Sequence, residues 1–302
     1  MLAPNDVDTT EQSLGRALQA SSAVTVYAAA MRFQVSPLLQ LSLPAWFDPI
    51  RAGLETAIGH ARNWQDNLCG QVARDVPQGF IDYNAVFQPV SNELINLITT
   101  IEMSGRPATA DQHQQASALR QRLLSHLEQQ ATTMSTLHGS LVQLMDDAQH
   151  DHTAMVDAGA TVARALPGGG IISKQIQADL GNDFLDTTFE SPCLVSVSLK
   201  SSIDITIQQT AGSHQELLPY VIAMQVLHKA QGDNEVATTA LSDVLAQWQL
   251  LQGLLQDVVT DLNKAADPDV LPILQKLDVQ AAQNVWMQLQ AFAEQLINGQ
   301  GS

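Results

Sequence analysis

The sequence predicts a mainly α protein, an elongated bundle of about five long helices with a small head that contains a β-hairpin. Three observations lead there. Long segments repeat apolar residues at alternating steps of three and four, and the longest, from Ala108 to about Ala165, contains no proline. At 1.5 Å per residue that helix would be roughly 85 Å long, which predicts a rod. Only the stretch Ser191 to Gln209 has a period of two, with Val195, Val197 and Leu199 alternating with serines, and Ile203, Ile205 and Ile207 alternating with Asp204 and Thr206. Finally, 45% of the residues are hydrophobic but only 5% aromatic, so the core is built from aliphatic side chains.

The first helix is expected over Thr10 to Arg32, with Leu14, Leu18, Ser21, Val24, Ala28 and Met31 on one stripe. Pro37, Pro44 and Pro49 then predict an extended connection, anchored by Trp46 and Phe47. A second helix starts near Ile50, carries Leu54, Ile58, Ala61, Trp64 and Leu68, and bends at Val76-Pro77. Phe80, Tyr83, Phe87, Leu94 and Ile98 continue its face, Pro89 adds a second bend, and Gly105-Arg106-Pro107 is a turn. In the third helix Leu123, Leu127, Gln130, Met134, Leu137, Leu141, Leu144 and Ala148 form a heptad seam broken once, by Gln130.

Leu166-Pro167-Gly168-Gly169-Gly170 ends that helix, Ile171 to Leu180 reads as a short helix, and the hairpin follows with Lys200-Ser201-Ser202 as its loop. Glu216 to about Lys264 is the returning helix, with Leu241, Leu245, Trp248, Gln252, Leu255, Val259 and Leu262 as its seam and Gln252 as the polar interruption. Asp267 to Pro272 turns the chain into a last helix, Ile273 to Ile297, with Leu274, Leu277, Ala281, Val285, Leu289, Phe292 and Leu296 inward. Residues 1–166 and 213–302 therefore form a discontinuous helical tail, and 167–212 a head domain.

The net charge of −17, from 14 basic and 31 acidic residues, argues against nucleic acid as a partner, because phosphate binding uses clustered Lys and Arg. It also disfavours an anionic lipid surface, so any membrane contact is expected to be apolar or guided by a receptor. Cys69 and Cys193 form no CxxC motif and read as two unpaired small hydrophobes. The N-terminal stretch has no basic start and no apolar h-region, so no classical secretory signal is expected, and no stretch is long and apolar enough for a transmembrane helix.

His150-Asp151-His152, with Asp146 and Asp147 before it, is the cluster with metal-binding residue types. Residues two apart on a helix point to different faces, and only Asp146 with His150 has the i, i+4 spacing. We read the cluster as a solvated polar face. Pro167 to Gly170 lacks the spacing and the lysine of a phosphate loop and reads as a turn. No nucleophile or metalloprotease motif is present, so the sequence predicts no enzyme and no cofactor.

An apolar face on a lone hairpin needs cover from helices, a partner or lipid, because two strands by themselves are marginal in water. Leu194, Val195, Val197, Leu199, Ile203, Ile205 and Ile207 are therefore the candidate membrane- or partner-contacting residues. Gly168, Gly169, Gly170 and Gly212 are candidate hinges, since glycine accepts large backbone changes at little steric cost.

The order of elements resembles the α-helical pore-forming toxins that include cytolysin A and the components of haemolysin BL and the non-haemolytic enterotoxin. Two stretches carry the likeness. One runs from His60 through Trp64 to Leu68 and on through Ile81, Asp82, Tyr83, Asn84 and Phe87, similar to the family's second helix. The other comprises Ala246 to Trp248 and Asn284 to Glu294 with Trp286, similar to its returning and closing helices. The resemblance implies a secreted bacterial protein whose head, with the hairpin as its β-tongue, reorganises on a target-cell membrane so that subunits form a homo- or hetero-oligomeric pore.

The head departs from many members in that Lys174, Asp179, Asp183, Asp186 and Glu190 interrupt the long apolar segment they carry there. That departure favours a multi-component system in which other toxin components supply the inserting segment. The alternative is a helical rod that serves as a structural or protein-interaction module and touches no membrane.

Overall fold

Capping chemistry sets where the helices begin. The computed structural model describes residues 2–4, 6–39, 45–165, 185–190, 196–201, 218–264 and 279–299. Helix α1 (Val7–Ala30) starts after Asp6, whose carboxylate accepts the Thr9 backbone N–H at 3.0 Å. Helix α5 (Ala110–Ala165, 56 residues) starts with a reciprocal capping box. There the Gln112 N–H donates to the Thr109 hydroxyl at 3.3 Å and the Thr109 N–H to the Gln112 side chain at 2.9 Å. Gly105, with φ of 60°, ends α4 (Val76–Ser104) in the left-handed conformation that glycine adopts without a Cβ penalty.

The proline-rich connection departs from the expected extended form. A π-helical turn, Met31–Val35, leads into α2 (Ser36–Leu39), and a 3₁₀ turn, Ala45–Phe47, precedes α3 (Asp48–Asn63). Pro49 stands second in α3, where a missing N–H costs no intrahelical bond, whereas Pro37, second in α2, follows directly on the helical run through Val35. Where the bend at Pro77 is expected, the backbone widens into π turns. Two π turns, Trp64–Leu68 and Gln71–Asp75, come before α4, and Pro77 sits in its first turn, while α4 continues through Pro89. The buried positions 68, 72, 76 and 80 are spaced by four, which matches the wider π turn, before the three-and-four alternation resumes.

The chain divides into two compact units. The first comprises 1–18, 71–139 and 244–302. In it α7 (Val279–Gly299) packs on α4 around Trp286, whose ring lies 4.4 Å from that of Tyr83, 6.1 Å from Phe87 and 6.3 Å from Phe80 between centroids. The Trp286 indole donates to the Leu2 carbonyl at 2.9 Å. Gln283 donates to Ser91 at 2.8 Å, and Gln88 donates to the Gln283 carbonyl at 3.1 Å, whereas the buried Tyr83 hydroxyl has no hydrogen-bond partner among the described residues.

The inward face of α7 differs from the expected one. Val279, Ala282, Trp286, Leu289 and Ala293 are buried, whereas Ala281 is exposed and Val285 only half-buried; Leu274 and Leu277 lie outside the described residues. The size of Trp286, aligned with the aromatic face of α4, sets this phase. In α6 (Leu218–Lys264) the seam runs through Leu241, Val244, Trp248, Leu251, Leu255, Val258 and Leu262. Leu245 and Gln252 fall one position off it, so Gln252 does not interrupt the seam. The α5 seam stands as expected, with all its members buried except Gln130, which is half-buried.

The second unit comprises 19–70 and 140–243. Trp64, fully buried, donates to the Thr25 hydroxyl at 3.0 Å, and that hydroxyl donates to the Ser21 carbonyl at 2.9 Å. Trp46 stacks on Tyr220 at 4.9 Å between centroids. Asn234, completely buried on α6, donates to the Ala148 carbonyl on α5 at 3.1 Å. Cys69 is buried and disulfide-bonded, which corrects the unpaired reading for that residue; Cys193 lies outside the described residues.

Strands β1 (Leu185–Glu190) and β2 (Ser196–Ser201) pair antiparallel. Lys200 and Ser201 therefore belong to a strand and not to a hairpin loop. The first strand comes from the segment before the expected one, where Leu185, Thr187 and Phe189 alternate with Asp186, Thr188 and Glu190. Its acidic residues fall at every second position or further, so they occur within a period-two pattern instead of breaking it.

Candidate functional site

Of the residues expected to contact a membrane or partner, Val197 and Leu199 lie on β2, opposite Phe189 and Thr187 on β1. Asp186 is opposite Lys200, an opposite-charge pair in the register of the sheet. Leu194, Val195, Ile203, Ile205 and Ile207 lie outside the described residues, as do Gly168, Gly169, Gly170 and Gly212.

The polar cluster on α5 is a solvated face at Asp146 and His150, which are exposed, and departs from one at Asp151. His150 Nδ1 lies 2.8 Å from the Asp146 backbone oxygen of its own helix, not from the Asp146 carboxylate. Asp151 points inward and is 3% exposed. Its carboxylate oxygens lie 3.1 and 3.0 Å from Nδ1 of His60 on α3, and His60 Nε2 is 3.9 Å from an Asp147 oxygen. His152 Nε2 is 3.9 Å from Glu235 on α6. Burial pushes the Asp151 carboxyl above its usual range, and the hydrogen bond to His60 partly opposes this. Burial, followed by the Asp151 charge, likewise raises the Tyr27 phenol, which remains neutral.

The sequence does not reveal this pairing, because His60 and Asp151 are 91 positions apart. A signal was nevertheless available: Asp151 is three residues beyond the seam position Ala148 and four before the buried Met155. Among the described residues no group of three or more His, Cys, Asp or Glu side chains could hold a metal ion. Among them, too, no helix is long and apolar enough to cross a membrane.

Parts of the two stretches that carry the family resemblance meet within the first unit, where Tyr83 and Phe87 surround Trp286 and Asn84 donates to Gln290 at 2.5 Å, while His60 to Leu68 belongs to the second. No protein-family model and no curated protein matches the chain by sequence. Solved structures do match. The HblL1 toxin component of Bacillus cereus superposes with a TM-score of 0.58 at 13% identity, over 98% of each chain. SmhB of the tripartite α-pore-forming toxin Smh from Serratia marcescens gives 0.53 at 13% identity, over 97% of this chain and 93% of that one. The cytotoxin MakB from Vibrio cholerae gives 0.52 at 15%, over 99% and 94%. The chain has the fold that these toxin components share.

Proposed function

We propose that the protein is a component of a bacterial α-helical pore-forming toxin of the multi-component kind. It acts by contact of its head with a target membrane or with partner subunits, followed by oligomerisation. The observation that carries this reading is the nearly end-to-end likeness to HblL1, 98% of both chains, together with the likeness to a component of a tripartite toxin. In this reading residues 1–166 and 213–302 are the tail and 167–212 the head, with β1 and β2 part of its β-tongue. Leu194, Val195, Val197, Leu199, Ile203, Ile205 and Ile207 supply the apolar contact, and the glycines at 168–170 and 212 serve as hinges. The protein is released from the bacterium and acts at the target-cell membrane. It needs no cofactor and carries no enzymatic activity.

The acidic residues of β1, Asp186 and Glu190, support a partner-dependent role over autonomous insertion, because a carboxylate in hydrocarbon costs several kcal/mol, ~3 on insertion scales. Co-sedimentation with liposomes and dye release test this, with the protein alone and with the proteins encoded beside it. Leakage only with partners supports the multi-component reading. Leakage by the protein alone assigns insertion to this chain, and no association in any combination favours a helical interaction module. Val197→Asp combined with Ile205→Asp should leave helix content unchanged by circular dichroism yet reduce membrane or partner binding at least about tenfold, since two charges oppose apolar burial. Unchanged lysis by that variant would remove the hairpin from the mechanism.

A further inference from the structure

We propose that His60 and Asp151 form a proton-dependent clasp within the second unit, which holds α3 against α5 most firmly while the pair keeps its proton and loosens as that proton is lost. The inference stands on geometry and does not depend on the toxin reading. Both ring nitrogens of His60 face carboxylates, Nδ1 at 3.0 Å from Asp151 and Nε2 at 3.9 Å from Asp147. A neutral imidazole has one N–H and would present a lone pair to one of these carboxylates. The imidazolium presents an N–H to both.

The surroundings leave the pair to balance its own charge. The charges acting on Asp151 come from His60, Asp147 and His150, with no lysine or arginine among them. From α1 the neutral Tyr27 phenol faces Asp151. From α6, Asn234 is uncharged and donates to the Ala148 carbonyl. Asp233 there is occupied by Lys229 at 2.9 Å, and Glu235 lies 3.9 Å from His152. A bare carboxylate at 3% exposure is therefore compensated mainly through the His60 ring.

The sign follows from proton linkage. The Asp151 carboxyl is raised in the fold, so the folded chain holds more protons there than the unfolded one. Stability from this group is present at low pH and lost as pH rises through the raised value.

Thermal unfolding of the full chain from pH 4 to 8 tests the clasp, comparing wild type with Asp151→Asn and with His60→Gln, two replacements that keep hydrogen-bonding groups without titrating. The readout is the difference in pH dependence between the proteins and not Tm itself. Wild type should lose about 2–4 °C more than Asp151→Asn between pH 4 and 8, and His60→Gln, which lacks the hydrogen bond that opposes the rise of the Asp151 carboxyl, should lose at least as much as wild type. An Asp151→Asn profile parallel to wild type would overturn the clasp. If Asp151→Asn does not fold, a His60→Gln profile flatter than wild type overturns the clasp and a steeper one supports it.

Discussion

Gly79 and Gln130 make a contact whose strength can be read from a thermodynamic cycle. The Gln130 amide donates to the Gly79 carbonyl at 2.8 Å, and a Cβ on residue 79 would run into that carboxamide. Alanine in a helix interior is favoured over glycine by roughly 1 kcal/mol, so Gly79→Ala carries an intrinsic gain that the displaced Gln130 offsets. In a Gln130→Ala background the gain should appear, with a coupling of about 1 kcal/mol between the two sites by urea unfolding. Additive effects would show that the contact contributes nothing. The pair also gives physical meaning to the one polar member of the α5 seam. Gln130 interrupts the heptads because a neighbouring backbone carbonyl lies within reach, a circumstance created by a residue 51 positions away. Asp151 repeats the lesson: its type and its neighbours indicate a solvated face, and only packing against His60 makes it a buried partner.

Among the elements, helix existence is legible wherever apolar steps of three and four persist, and helix phase is legible only where one stripe outcompetes its neighbour. On α5 the leucines leave one choice. On α6, Val244 and Leu251 compete with Leu245 and Gln252, and the buried seam takes the pair that keeps Gln252 off it. Leu251→Ala should accordingly cost about 2–5 kcal/mol. Gln252→Ala should stay within about 0.5 kcal/mol, and equilibrium denaturation distinguishes the two. Equal costs would refute the assigned phase. On α7, Trp286 moves the face from Val285 because a large ring buried among Tyr83, Phe87 and Phe80 outweighs a valine. The π turns and the short helix through Pro37 escape a sequence reading for a different reason. Proline is recognised as a helix breaker, and the wider turns that carry the helix up to Pro37 and Pro77 have no local sequence signal. Strand β1 escapes it because acidic residues attract attention before their spacing does.

For the whole molecule, nearly complete coverage at 13% identity to HblL1 means that the succession of aliphatic stripes, more than residue identity, carries the likeness. The chemistry of a site does not travel that way, and none of the apolar residues expected at 194–207 is fixed by the helical pattern around it. The disulfide at Cys69 is a property of the complete chain that can be checked directly. Alkylation in denaturant without reductant, followed by mass mapping, should leave Cys69 unmodified, and prior reduction should expose it. Labelling before reduction would contradict the bond. The four tryptophans have a further consequence. Trp248 and Trp286 belong to one unit, Trp46 and Trp64 to the other, and all but the half-buried Trp46 are sealed from water. The chain thus carries intrinsic emission probes in each half, and variants that retain a single indole would report the opening of one unit by a red shift while the other stays dark.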